Sequence, residues 1–141
     1  MEKKILWIDD DYFHIQPLFY QVEQQGFKID YALTAAEGYE KAKNWKNYRL
    51  IVVDIILQLQ NPNQKTPEIV KSWASEAYPG IGVVKWLLRD HQVKCPVIIL
   101  SVIDDLLDRY ELQDIGVAKV ISKTSLGPTL LFQELSEYLK S

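Results

Sequence analysis

The amino-acid sequence predicts an α/β domain in which five parallel β-strands alternate with helices. Short apolar runs alternate along the chain with longer segments whose apolar residues recur every three or four positions, a pattern typical of β-α-β units. The first, third and fourth apolar runs are nearly continuous, as expected of central strands that are covered on both faces. We therefore expect a doubly wound sheet with the strand order 2-1-3-4-5.

Five segments have the composition of buried strands and are bounded by polar residues. The second of them is mixed in character, which suits an edge strand better than a central one. The predicted strands cover residues 4–8, 28–32, 50–55, 96–100 and 118–122.

Helical periodicity fills the intervals between the strands and the C-terminal segment. Gly26 and Gly116 stand where a residue with positive φ would close the first and fourth helices, and Thr34 can cap the second. Pro17 lies inside the first helical segment, which predicts a late start or a distorted first turn. The predicted helices lie near residues 12–25, 35–45, 81–91, 104–115 and 128–139.

One connection is much longer than the others. Residues 58–79 separate the third strand from the third helix by roughly twenty residues, whereas such loops usually have two to six. A structureless loop of this length is unusual inside a compact domain, so we expect a short helix at residues 68–77. Trp73 and Tyr78 should pack this insertion against the body of the domain.

Composition and charge restrict the classes of function. The net charge is −3, and no basic block could neutralise a line of phosphates, which disfavours direct nucleic-acid binding. All uncharged apolar runs are shorter than the roughly 18 residues of a membrane span, and the N-terminal stretch lacks the features of a signal peptide. The single cysteine, Cys95, cannot form an internal disulfide. We therefore expect one cytoplasmic domain covering residues 1–141, without a membrane partner.

Polar residues stand at the ends of four of the predicted strands. Asp9 and Asp10 follow the first strand, and Asp54 lies near the end of the third. Ser101 follows the fourth strand and Lys123 follows the fifth. In an open parallel sheet ligands bind beyond the carboxyl ends of the strands, so we expect these five side chains to converge at one edge.

Three carboxylates at one edge repel one another unless a cation is shared between them. Mg²⁺ prefers oxygen ligands and is usually held by one or two carboxylates together with phosphate oxygens. Such a site leaves Asp54 as a nucleophile that can accept a phosphoryl group. The Lys123 ammonium and the Ser101 hydroxyl would then stabilise the transferring group.

These residues resemble the signature of receiver domains of two-component response regulators, which have a flavodoxin-like fold. The likeness covers the whole chain except the insertion at 58–79. It implies that Asp10 binds Mg²⁺ directly, Asp9 binds it through water, and the carbonyl of Ile56 supplies a further oxygen. It also implies that the domain catalyses its own phosphorylation and dephosphorylation without being an enzyme for a separate substrate.

The resemblance further implies the partners of the domain. A histidine kinase or a histidine phosphotransfer protein would donate the phosphoryl group to Asp54. A downstream protein target would then read the phosphorylated state, through a surface formed by the fourth helix, the fifth strand and the fifth helix, at residues 104–137.

Two departures from the family pattern keep alternatives open. Val120 stands where the family usually has an aromatic residue, and Thr124 replaces the usual proline after Lys123. Together with the insertion at 58–79, both favour the alternative of a receiver-like protein-binding module that works without phosphorylation. A second alternative is a phosphatase of the haloacid dehalogenase type, for which Asp9 and Asp11 have the required spacing. The small size of the chain and the presence of Asp54 argue against it.

Overall fold

A computed structural model describes residues 3–60, 65–102, 112–123 and 128–139, and these form a single parallel sheet flanked by helices. The strand order is β2-β1-β3-β4-β5, as predicted. Each strand ends within one residue of its predicted position. The strands are β1 (Lys4–Ile8), β2 (Lys28–Ala32), β3 (Leu50–Asp54), β4 (Val97–Ser101) and β5 (Lys119–Ser122).

Helices cover both faces of the sheet. Three short turns of other helical types accompany them: 3₁₀ turns at Trp45–Asn47 and Trp73–Ser75, and a π-helical turn at Trp86–Asp90 that continues α4. The predicted helix at 104–115 lies mainly outside the described residues. The α-helices are α1 (Tyr12–Gln24), α2 (Ala35–Ala42), α3 (Glu68–Ser72), α4 (Pro79–Lys85) and α5 (Pro128–Ser136).

The two faces of the sheet bury separate cores. Successive side chains of a strand point to opposite faces, so that in β1 Leu6 and Ile8 face one core while Ile5 and Trp7 face the other. The first core packs against α2, α3 and α4, and the second packs against α1 and α5. Among the described residues, none of the helices combines the length and the apolar character needed to cross a bilayer.

Local signals explain most of the helix ends. Gly26 and Gly116 have φ values of +88° and +101°, which confirms that each adopts the left-handed conformation. The hydroxyl of Thr34 accepts the N–H of Glu37 at 3.1 Å and caps α2 as predicted. The prediction of a late start for α1 is wrong, because this helix begins at Tyr12 and continues past Pro17.

The insertion forms a helical segment that packs on α4. This helical segment consists of α3 and the following 3₁₀ turn. It ends at Ser75, two residues before the end of the helix predicted at 68–77. Trp73 is 5% exposed and lies directly on Gly82, where a Cβ atom would come within 2.3 Å of the Trp73 ring. Its ring also lies 6.2 Å from that of Tyr39 and 6.3 Å from that of Trp86. Tyr78 is partly buried against the same core, so the predicted packing of both aromatic residues is confirmed.

Candidate functional site

The carboxyl edge of the sheet brings together the polar residues that the sequence singled out. Asp9 directly follows β1, and Asp54 is the last residue of β3. Because β1 and β3 are paired neighbours, both carboxylates emerge side by side. Ser101 ends β4, and Lys123 follows β5.

Acidic and basic side chains at this edge are in direct contact. Asp9, Asp10 and Asp54 each place one carboxylate oxygen within 4.8 Å of the others. The Nζ atom of Lys123 donates to Asp54 Oδ2 at 2.9 Å and lies 3.1 Å from Asp9 Oδ2. One ammonium group therefore bridges two carboxylates that come from different strands.

Backbone N–H groups hold the carboxylates in place. Asp54 Oδ1 accepts the N–H of Ile56 at 3.1 Å, and Asp9 Oδ1 accepts the N–H of Asp11 at 2.9 Å. In both cases the donor lies two residues after the aspartate, which is the spacing of an Asx-type turn. Apolar periodicity does not predict these two donors, which depend on how the chain turns after each strand.

Burial makes the Asp54 carboxyl unusually basic. Asp54 is only 5% exposed and Asp9 is fully buried. Burial and the adjacent Asp9 charge raise the pKa of Asp54 to about 7, although Lys123 and the Ile56 N–H act in the opposite direction. Burial and the Asp9 charge also raise the pKa of the more exposed Asp10. Without a cation, Asp54 is therefore partly protonated near neutral pH.

Lys123 is the basic partner of this cluster. Burial alone would lower the pKa of Lys123, but the hydrogen bond and charge of Asp54, together with Asp9, outweigh burial and raise it. The backbone N–H of Lys123 donates to the Ser101 carbonyl at 2.8 Å, which fixes the position of the residue that carries the ammonium. Ser101 itself is 1% exposed.

The donor set fits a hard divalent cation. The three carboxylates of Asp9, Asp10 and Asp54 face the single ammonium of Lys123, which leaves a surplus of two negative charges when all are ionised. Asp9 Oδ2 is buried, accepts no hydrogen bond from any described residue and lies 3.1 Å from the Lys123 ammonium. Asp54 shares that ammonium, so the remaining negative charge of the cluster is costly to bury unless a further cation lies near it. Oxygen ligands of this kind are those that Mg²⁺ prefers.

Two further residues border the cluster. Ile56 comes two residues after Asp54 in the chain and is 44% exposed, so its side chain lies at the surface. Tyr31, near the end of β2, was not singled out by the sequence. Burial and the negative charges of Asp9 and Asp10 raise the pKa of its hydroxyl, which therefore stays protonated. It lies opposite Trp7, a residue two positions before Asp9, in a strand register that the sequence leaves unspecified.

Comparisons with known proteins identify similar structures but no similar sequence family. No family model matches the chain, and no curated protein matches it. The receiver domain of Francisella response regulator 1452 is 24% identical with a TM-score of 0.67, and the match covers 98% of this chain and 97% of that domain.

Two other similar structures come from different organisms. A CheY-like receiver domain protein from Methanospirillum hungatei is 23% identical with a TM-score of 0.67, and the match covers 99% of this chain and 94% of that one. The chemotaxis protein CheY4 of Vibrio cholerae is 19% identical with a TM-score of 0.67, and the match covers 98% and 99% of the two chains. The described part of this chain has the flavodoxin-like fold of response regulator receiver domains.

Proposed function

We propose that this chain is a single receiver domain that stores a signal as a phosphoryl group on Asp54. A histidine kinase or a histidine phosphotransfer protein would be the donor. In the transfer, an Asp54 carboxylate oxygen forms a bond to phosphorus while the bond from phosphorus to the donor imidazole nitrogen breaks. The bonding electrons pass to that nitrogen.

The observation that carries this proposal is the Lys123 ammonium between the Asp54 and Asp9 carboxylates. A transferring phosphoryl group carries negative charge on its equatorial oxygens and requires fixed cationic partners and hydrogen-bond donors. Lys123 is such a partner, 2.9 Å from the proposed nucleophile. Ser101, at the end of the neighbouring strand, would donate its hydroxyl to the same group.

Mg²⁺ is the proposed cofactor of the site. The carboxylates of Asp9, Asp10 and Asp54 would hold it, together with the backbone carbonyl of Ile56. When bound, Mg²⁺ would offset the surplus negative charge and keep Asp54 ionised. The chain's own residues would position the phosphoryl group and exclude water from it.

Signalling would depend on a second protein. The phosphorylated Asp54 would carry about −1.5 to −2 charges at neutral pH in place of its own carboxylate charge, and this local change would alter the affinity for a downstream protein target. We expect the domain to act in the cytoplasm, where the free thiol of Cys95 stays reduced. Within the proposed output surface at residues 104–137, residues 104–111 and 124–127 lie outside the described residues.

Intact mass measurement tests the proposal. The protein is incubated with Mg²⁺ and acetyl phosphate, a small phosphodonor, and we expect a mass increase of one phosphoryl group. An Asp54→Asn variant should gain none. An Asp114→Asn variant is the matched control, because it removes an exposed carboxylate that is not part of the acidic cluster, and it should be labelled like the wild type.

The same experiment separates the alternatives. Labelling that persists in Asp54→Asn would reject Asp54 as the acceptor. Absence of labelling in the wild type with every donor tried, including a phosphorylated histidine phosphotransfer protein, would favour the phosphorylation-independent binding module. Val120, partly buried where the resemblance expects an aromatic residue, is the observation that favours this second candidate.

A further inference from the structure

The segment that follows the candidate phosphoacceptor is anchored to the site and to a helix at the same time. We define residues 56–59 as the strap. At its start, the N–H of Ile56 donates to Asp54 Oδ1 at 3.1 Å. At its end, the carbonyls of Gln58 and Leu59 accept the N–H groups of Ala35 and Ala36 at 2.9 and 2.8 Å.

The second anchor completes the N-terminus of α2. The first N–H groups of a helix have no partner within the helix, so they require acceptors from elsewhere. In α2 the strap carbonyls satisfy Ala35 and Ala36, while the Thr34 hydroxyl satisfies Glu37. Two of these N–H groups therefore depend on the position of a segment that begins only two residues after Asp54.

A third anchor ties the same backbone to α4. The N–H of Gly80, in the first turn of α4, donates to the carbonyl of Ile55 at 3.0 Å. A Cβ atom at Gly80 would come within 2.5 Å of both the Asp54 carbonyl oxygen and the Ile55 Cα. Here α4 touches the main chain of the phosphoacceptor with no side chain between them, so a displacement of residues 54–55 must be transmitted to α4.

The insertion joins the two anchored helices. The Trp73 ring contacts Gly82 of α4, and it also lies against Tyr39 of α2. The Tyr39 ring lies 4.6 Å from that of Trp86, which follows α4. Because these aromatic rings fill one core, α2, the insertion and α4 form a packed unit whose nearest covalent connection to the site is the strap.

We propose that the strap couples the chemical state of Asp54 to the face formed by α2, the insertion and α4. A phosphoryl group on Asp54 brings acceptor oxygens that compete with Oδ1 for the Ile56 N–H, and this shifts the strap and its two contacts with α2. The use of this link as a phosphorylation switch rests on the proposed function. The mechanical link between Asp54 and α2 is independent of the proposed function, and it can be tested in the unphosphorylated protein.

Amide hydrogen exchange at Ala35 and Ala36, followed by NMR in EDTA, measures the link directly. Asp54→Ala removes the acceptor of the Ile56 N–H, and we expect exchange at both alanines to accelerate roughly fivefold, the effect of losing one hydrogen bond. Asp114→Asn is the control: it removes an exposed carboxylate outside the cluster and leaves the bond between Asp54 and Ile56. Its exchange at Ala35 and Ala36 should stay at the wild-type rate.

A second pair of variants keeps the test decisive if Asp54→Ala does not fold. Ile56→Pro removes the donor itself, and Ile56→Ala keeps it. Faster exchange at Ala35 and Ala36 in the proline variant alone supports the strap. Equal exchange in all folded variants would overturn it.

The phosphorylated protein tests the switch. Where mass measurement shows labelling of Asp54, exchange at Ala35, Ala36 and Gly80 should change relative to the unlabelled protein. Labelled protein with unchanged exchange would overturn the switch while leaving the phosphoacceptor role intact. If no labelling occurs, the proposed function fails, and the variants still decide whether the strap is a link.

Discussion

Opposing effects on the Asp54 carboxyl group bring its pKa close to neutral pH. Burial and Asp9 favour its protonated form, while Lys123 and the Ile56 N–H favour the carboxylate. The first pair of effects prevails, and the pKa of Asp54 rises to about 7. A nucleophilic carboxylate is therefore only partly available in the cation-free protein, so its reactivity should depend on what neutralises the surrounding charge.

This balance predicts a pH dependence of stability. Between the ordinary pKa of 3.8 and the folded pKa of about 7, the folded protein binds more protons at Asp54 than the unfolded chain does. The resulting stabilisation is present at low pH and is lost as the pH rises through 7, by a total on the order of a few kcal/mol. Urea unfolding in EDTA at several pH values should show this decline. Asp54→Asn should show a smaller decline, and an identical decline in both proteins would contradict the assignment.

Strand-end residues could be chosen from the sequence, but their hydrogen-bond donors could not. Asp9, Asp54 and Lys123 each adjoin an apolar run, so the sheet geometry alone predicts that they meet. The Ile56 N–H reaches Asp54 only because the chain turns sharply after β3, and apolar periodicity carries no information about that turn. Tyr31 depends on the register between β1 and β2, which the sequence leaves unspecified.

In the described part of the chain, α4 begins directly against the backbone of the candidate site. Its first turn lies on the backbone of residues 54 and 55, and glycine at position 80 permits this contact. Proline at position 79 begins the helix, and fixes φ at a value suited to a first helical residue. The pair Pro79-Gly80 therefore sets both where α4 starts and how near it comes to β3.

Substitution of Gly80 tests this contact. Gly80→Ala should lower the free energy of unfolding by about 1–3 kcal/mol or more, because its Cβ would press on backbone atoms that cannot rotate away. Gly38→Ala is the matched control. Its Cβ would come within 2.6 Å of Ile8 Cδ1, which is the end of a side chain, and alanine is favoured in helices by about 1 kcal/mol. Chemical denaturation should therefore show a larger loss for Gly80→Ala, and equal losses would contradict the argument.

Strands were easier to predict than the segments between them. Buried central strands such as β3 and β4 read as continuous apolar runs that polar residues interrupt at each end, so their limits are marked in the sequence. The π-helical turn after α4 has no such mark in the sequence, and it begins at Trp86, which packs with Tyr39 and Trp73. Helix α1 continues past Pro17 because apolar residues on both sides of it, including Ile15 and Leu18, are buried against the sheet.

At the scale of the whole molecule, the topology concentrates negative charge on one edge of the sheet. Strands β1 and β3 are adjacent and parallel, so the order β2-β1-β3-β4-β5 places their acidic ends together. When all three carboxylates are ionised, the surplus of two negative charges at this edge destabilises the fold unless a cation is bound. A cation bound there should therefore stabilise the domain as a whole.

Mg²⁺ should raise the melting temperature of the wild-type protein. Once its concentration exceeds the dissociation constant, each further tenfold increase should add about 1.4 kcal/mol of stability. Asp10→Asn, which removes the most exposed carboxylate of the cluster, should reduce the increment at a fixed Mg²⁺ concentration. Differential scanning fluorimetry with Na⁺ at matched ionic strength separates binding from charge screening. A melting temperature that responds equally to both salts would contradict a specific site.

The ion pair between Lys123 and Asp9 joins residues 114 positions apart in the chain, and the pair with Asp54 spans 69. Such distant partners meet only after most of the sheet has been assembled, since long loops must close first. A ribosome-bound chain that has emerged only as far as β4 would contain the acidic residues of the cluster but not Lys123, which follows β5. The proposed phosphoryl site would then be completed only when β5 has joined the sheet, and a partly folded chain would lack the Lys123 ammonium that the phosphoryl group requires.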